Sequence, residues 1–172
     1  MIGLLRDVVE SWGRPGAVVR RKLARGTGED TLLAYAVLAG FIAFAARVPG
    51  LIDIQRAAGA DAPPLSTMVG ASFVVYAMFA PLFMYLLAAL SHLAARLLGG
   101  EGSWHGARLA LFWGLLAVQP LVILSALANS LSPWPWFSQI LSLAFAGMFF
   151  WVWLGGLMAA ERVDEGAPGG LG

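Results

Sequence analysis

From Leu109 to Ala160 the chain runs for 52 residues without an Asp, Glu, Lys or Arg. A helix in water needs a polar face, so a run of this length belongs in lipid. One helical crossing of a hydrocarbon layer about 30 Å thick takes roughly 20 apolar residues. Two crossings fit, provided the chain turns between them at Ser130–Trp136. There Pro133 and Pro135 remove backbone donors, and Trp134 and Trp136 favour the headgroup level. Two further apolar runs precede this hairpin, and the pattern predicts crossings at about 31–52, 66–98, 107–130 and 136–160. The first is short: Arg47 interrupts it with a head able to reach the interface, and Pro49-Gly50 ends or bends it. Asp53 to Pro64 reads as a polar connection in which Asp53 and Arg56 share a last turn. Pro81 and Pro120 stand in mid-run in the second and third crossings and predict kinks. Gly99-Gly100 stops the second crossing.

Ahead of the first crossing the pattern changes. Ile2, Leu5, Val9 and Trp12 recur at helical steps among Arg6, Asp7 and Glu10. Pro15 opens a second short helix with Val18, Val19 and Leu23 on one side and Arg20, Arg21 and Lys22 around the other. Residues 1–26 therefore read as an amphipathic interfacial segment on an anionic leaflet, with Arg14, Arg20, Arg21, Lys22 and Arg25 as the candidate lipid contacts. Thr27-Gly28-Glu29-Asp30 matches a capping box for the first crossing. Residues 27–163 form the membrane domain, and 164–172 a Gly/Pro tail expected to be disordered. The fold class is all-α: a polytopic four-helix transmembrane bundle behind an interfacial segment.

Composition agrees, with 59% hydrophobic residues, 12% charged and a mean hydropathy of +0.77. The layout of charge matters more than the net +1. Six basic residues in the N-terminal segment, with Arg96, Arg108 and Arg162, fall on one side of a four-crossing chain, against Arg47 and Arg56 on the other. Nine against two places both termini in the cytoplasm. The wealth of alanine, glycine and arginine points to a GC-rich bacterium, hence to the cytoplasmic (inner) membrane. The start of the chain shows no signal-peptide pattern, so the first crossing is expected to direct insertion. With no cysteine there are neither disulfides nor thiolate chemistry.

Polar residues within the crossings are the natural places to look for chemistry. Gln119, Ser125 and Asn129 lie on the third crossing, and Tyr76 and Tyr85 on the second; packing hydrogen bonds are the favoured role for each. Phe145, Phe149 and Trp153 form an aromatic stripe read as packing, and Ala36/Gly40 and Gly155/Ala159 permit close helix approach. His92, Glu101 and His105 are the sole trio of metal-ligating type, too loosely spaced for zinc, while His92 and Arg96 read as an interfacial collar. No hydrolase elbow, zinc-protease helix, phosphate loop or membrane acid pair is present. Catalytic, cofactor and metal residues are therefore expected to be none, and nucleic acid is not an expected partner.

The order of features resembles the Yip family of Ypt/Rab-interacting membrane proteins, in its small bacterial form. The likeness rests on a lead-in with a proline, Glu10-Ser11-Trp12-Gly13-Arg14-Pro15, followed by an early crossing. The turn Leu97-Leu98-Gly99-Gly100-Glu101-Gly102-Ser103-Trp104 is similar to the family's Leu-Gly-Gly-x-Gly-Ser-aromatic pattern, with Ala107 and Pro120 in the places of a family alanine and mid-helix proline. The eukaryotic members' Asp-Leu-Tyr-Gly-Pro signature is absent, so the resemblance implies fold and membrane class and brings no GTPase partner. The expected function is that of a non-enzymatic membrane protein packing with membrane-protein partners, with itself or with anionic lipid. Pro81, Gly99, Gly100, Gly102, Trp104, Gln119, Pro120 and Asn129 are the candidate packing or partner contacts. The alternative is a small oligomeric transporter or channel subunit with a pore lined by the kinked second and third crossings.

Overall fold

The computed structural model describes residues 2–59, 63–131 and 135–162, and among them every regular element is a helix. Two short helices, α1 (Ile2–Gly13) and α2 (Pro15–Ala24), precede α3 (Glu29–Ala58). The second crossing is α4 (Leu65–Val74), a π turn (Val75–Phe79) and α5 (Ala80–Leu97). The third is α6 (Trp104–Ala117) followed by α7 (Gln119–Leu131), and α8 (Pro135–Glu161) is the fourth. Four segments are long and apolar enough to span a membrane: Glu29–Ala58, Leu65–Leu97, Trp104–Asn129 and Gln139–Glu161. The middle of the expected Ser130–Trp136 turn and the whole 164–172 tail lie outside the described residues.

The elements depart from the sequence reading where prolines fall. α3 does not stop at 52; it passes through Pro49 and reaches Ala58, with Leu51 buried beyond the proline and Asp53 paired to Arg56 at 3.5 Å on the last turns. One missing donor does not end a helix whose apolar period continues. Pro81 is absorbed by the π turn just before it, where the Ala80 N–H bonds the Val75 carbonyl. At Pro120 the third crossing breaks outright, with Val118 closing α6 and Gln119 opening α7. A break inside lipid leaves carbonyls without donors, and side chains supply them. The Gln119 amide donates to Leu115 O at 3.1 Å, and the Trp12 indole donates to Ala117 O at 2.9 Å.

α6 is the axis. It packs against α3, α5, α8 and both short helices, and Leu109, Ala110, Leu111, Phe112 and Trp113 are fully buried on successive faces. α1 and α2 share that core: Val8, Val18 and Val19 join Leu32, Phe112, Trp113 and Val152 in one cluster. The two helices are amphipathic, as expected, and their apolar side lies on protein. Glycines on α8 allow this approach: a Cβ at Gly155 would stand 2.7 Å from Pro15 Cγ, and one at Gly156 2.9 Å from Val19 Cγ2. From the α2 side, a Cβ at Gly16 would meet Ala159 Cβ at 3.0 Å. On the first crossing Gly40 admits the second, its absent Cβ lying 2.7 Å from Tyr76 O. The capping-box reading is replaced: Gly28 caps α3, while the Thr27 hydroxyl donates back to Lys22 O at 2.8 Å and closes α2.

Candidate functional site

Most of the buried charge collects where the α1–α2 hairpin meets α6. The antiparallel run of the hairpin brings Asp7 and Glu10 of α1 opposite Arg21 and Lys22 of α2. Arg21 reaches Asp7 at 2.7 Å and both Glu10 oxygens at 2.9 Å. Lys22, only 5% exposed, pairs with the other Asp7 oxygen at 3.2 Å. Its ammonium lies 3.7 Å from the centroid of the Trp113 ring and 3.2 Å from the Tyr35 hydroxyl, with the Tyr35 and Trp113 rings edge to face at 5.3 Å. The Trp113 indole donates to the Ser11 hydroxyl, which donates to Asp7 O. Trp113 is roughly 14 Å of helix rise beyond Trp104, so this seam reaches well into the bundle.

Burial pushes the Asp7 carboxyl up, but hydrogen bonds from Lys22 and Arg21 outweigh it and hold the pKa below the usual 3.8. The Arg21 hydrogen bonds likewise hold Glu10 low, and the two carboxylates raise the Arg21 guanidinium above its already high range. Asp7, Glu10 and Arg21 are therefore ionised at neutral pH, and with Lys22 they are locked to one another. Such an arrangement fixes one register of the hairpin; it does not present an acid or base to a substrate.

A second polar cluster closes the end of the bundle where the hairpin sits. His92 is 1% exposed, 3.4 Å from Glu161 Oε1 and against the Trp104 ring at 4.4 Å. Glu161 accepts the Gly102 N–H at 2.7 Å, and Cβ atoms at Gly100 or Gly102 would strike its carboxylate within 2.5 and 2.7 Å. Glu29 joins the start of α3 to α6 through Arg108 and through His105 at 3.1 Å. His92 and His105 thus go to different partners, Glu161 and Glu29, while Glu101 is exposed, and no group of three ligating residues able to hold a metal occurs among the described residues. His92 is turned inward and does not form the expected collar with the exposed Arg96.

The residues singled out in the sequence separate by burial. Pro81, Gly102 and Gln119 are buried within the chain, whereas Gly99, Trp104, Pro120 and Asn129 are exposed and Gly100 is half-buried. Among the candidate lipid contacts, Arg14, Arg20 and Arg25 are exposed. Lys22 departs from that group because Asp7 and two aromatic rings hold its ammonium inside; Arg21 is half-buried and engaged by α1. Sequence reasoning missed Asp7, Ser11, Tyr35, Trp113 and Glu161. The available signal was the opposed sign of two adjacent amphipathic helices, with the chain's one lysine between valines and leucine.

Comparison with known proteins adds the family. The Yip1 domain model matches residues 9–170, which takes in the hairpin from the later part of α1, the Gly99–Trp104 turn and all four crossings. No curated protein and no solved structure matches the chain. The helical fold with four spanning segments and the match across nearly the whole sequence place this chain in the Yip1 domain family of membrane proteins.

Proposed function

We propose that this Yip-type protein is non-enzymatic and acts by packing its helices with membrane-protein or lipid partners. The observation that carries the reading is the closed polar seam: Asp7, Glu10, Ser11, Arg21, Lys22 and Trp113 take one another as partners. What the chain offers outward is apolar and extended. Leu82, Phe83, Leu86, Leu90, Leu93 and Leu97 give α5 a continuous exposed face, suited to lipid or to another membrane helix. Of the expected contact residues, Trp104 and Asn129 are exposed and available to a partner, while Gln119 serves the chain's own break. The excess of basic residues at the hairpin end supports cytoplasmic termini in a bacterial inner membrane, with Arg14, Arg20 and Arg25 facing anionic headgroups.

The test is photo-crosslinking from Leu86 and Trp104 in native membrane, followed by flux measurements on the purified chain in liposomes. Discrete adducts from these positions with no solute or ion flux are expected. Flux through a self-assembled oligomer, without adducts to another protein, would replace this reading with the transporter alternative.

A further inference from the structure

Arg47 is the one basic side chain in the interior stretch of α3, and no ion pair or hydrogen bond engages it among the described residues. It stands about 27 Å of helix rise from Glu29, toward the end of the bundle away from the hairpin. An arginine within a spanning segment is expensive unless a counter-charge or polar cavity receives it. Here there is an open cleft of about 380 Å³ between α3, the π turn, α7 and α8, lined by Arg47, Tyr76, Val122, Ser125, Asn129 and Phe145 among others, of which Arg47 and Asn129 are exposed. A smaller neighbouring pocket shares Arg47 and Asn129 and includes Asp53. Asp53 contacts Arg56 at 3.5 Å, and among the described residues no ion pair joins it to Arg47.

The wall is built by three separate irregularities. The π turn, a feature often found at functional sites, carries Tyr76. Gly40 lets α3 close on the Tyr76 backbone. The helix is interrupted at Val118, and on α7 Ser125 and Asn129, one turn apart, share the face toward the cavity. Ser125 donates its hydrogen to Leu121 O at 2.8 Å and Ser142 on α8 already has a partner, so Arg47, Tyr76 and Asn129 carry the remaining donor groups of the lining. A cation with a planar fork, two neutral donors and an apolar flank of Val122 and Phe145 is suited to a tetrahedral oxyanion carried by an amphiphile.

We propose that this cavity binds a phosphate oxyanion, either the phosphodiester of a lipid headgroup or free phosphate, on Arg47, Tyr76 and Asn129. Apart from Asn129, the site shares no residue with the seam and the α5 face on which the packing role rests, and it survives the failure of that role.

The purified chain, stripped of lipid in detergent, is titrated with phosphatidylglycerol and followed by native mass spectrometry; a parallel arm measures the thermal shift with inorganic phosphate against chloride at equal ionic strength. Saturable binding of one phospholipid is expected, reduced at least ten-fold by Arg47→Gln, several-fold by Asn129→Ala and Tyr76→Phe, and unchanged by Arg96→Gln. Arg47→Lys keeps the charge without the fork and falls between, which separates lost binding from lost folding. A phosphate-specific shift that Arg47→Gln abolishes, with no lipid retained, supports the site with free phosphate as its ligand. Equal binding by the parent chain and Arg47→Gln in both arms, or an equal loss in Arg96→Gln, overturns the proposal.

Discussion

The indole N–H of Trp113 donates to the Ser11 hydroxyl at 2.8 Å, joining the first helix of the chain to its most enclosed crossing. Both groups are fully buried, so a lost partner is not replaced by water. Ser11→Ala leaves that indole donor unpaired and is expected to lower stability by about 1–3 kcal/mol. Unfolding in detergent micelles measures this, and Ser11→Thr, which restores the hydroxyl, is expected to recover part of it.

Lys22 and Asp7 form a buried pair beside two aromatic rings. Removing one partner of such a pair is worse than removing both. Lys22→Met is expected to cost about 2 kcal/mol, since Asp7 keeps Arg21, and adding Asp7→Asn is expected to return much of that loss. A double-mutant cycle on the same unfolding transition reads the coupling directly.

The same carboxylates give the hairpin an acid limit. Asp7 and Glu10 have folded pKa values depressed below their ordinary 3.8 and 4.5. Depressed carboxylates contribute stability that is complete above the ordinary values and lost as pH falls through the lowered ones. Attachment of the hairpin should therefore be constant from neutral pH down to about pH 5 and weaken below about pH 4, with Asp7→Asn flattening the decline. Limited proteolysis of the hairpin as a function of pH, with an acid-active protease, checks the window.

Gly102 lies against the end of α8, where an added Cβ would stand 2.7 Å from Glu161 Oε2 and 2.8 Å from the Glu161 Cα. The second contact is backbone and cannot swing away. Gly102→Ala is expected to cost about 2 kcal/mol and to separate the α5–α6 turn from α8. Accelerated hydrogen exchange of the amide at position 102, which bonds Glu161 in the parent chain, would accompany it.

How far the sequence carried this picture depends on the kind of signal. The crossings were legible because lipid imposes length and apolarity on every spanning helix, and four charge-poor runs show that directly. The close approaches at Gly40 and Gly155 were legible as small-residue spacing, although the partners, Tyr76 and Pro15, were not. The destination of the hairpin was hidden. Val18 and Val19 are equally content against lipid or protein, and only the fold shows α8 with the glycines that receive Pro15 and Val19. Proline positions were visible, but one residue type gave three outcomes: passage at Pro49, a π turn before Pro81 and a break at Pro120. Those outcomes depend on which neighbours supply the missing hydrogen bonds. The Arg47 cavity was illegible for the same reason, being assembled from a widened turn and a broken helix.

Arg14, Arg20 and Arg25, like Arg6 on α1, are exposed cations of the hairpin. Exchanging all three for Gln is expected to reduce enrichment of phosphatidylglycerol over phosphatidylcholine around the reconstituted protein, at about 1 kcal/mol per charge in low salt and far less at high salt. Lys22→Gln is expected to leave that enrichment unchanged, because its ammonium does not reach the surface.

The central claim is that the N-terminal hairpin is built into the membrane bundle between α6 and α8. The chain has no cysteine, so introduced pairs report without background. Gly16→Cys with Ala159→Cys places two thiols where a Cβ at Gly16 would lie 3.0 Å from that of Ala159, within reach of a disulfide after slight adjustment. Gly106→Cys with Ala160→Cys gives an equivalent pair between α6 and α8. Mild oxidation of intact membranes is predicted to close both pairs at comparable rates; closure of the second with none of the first would contradict the account.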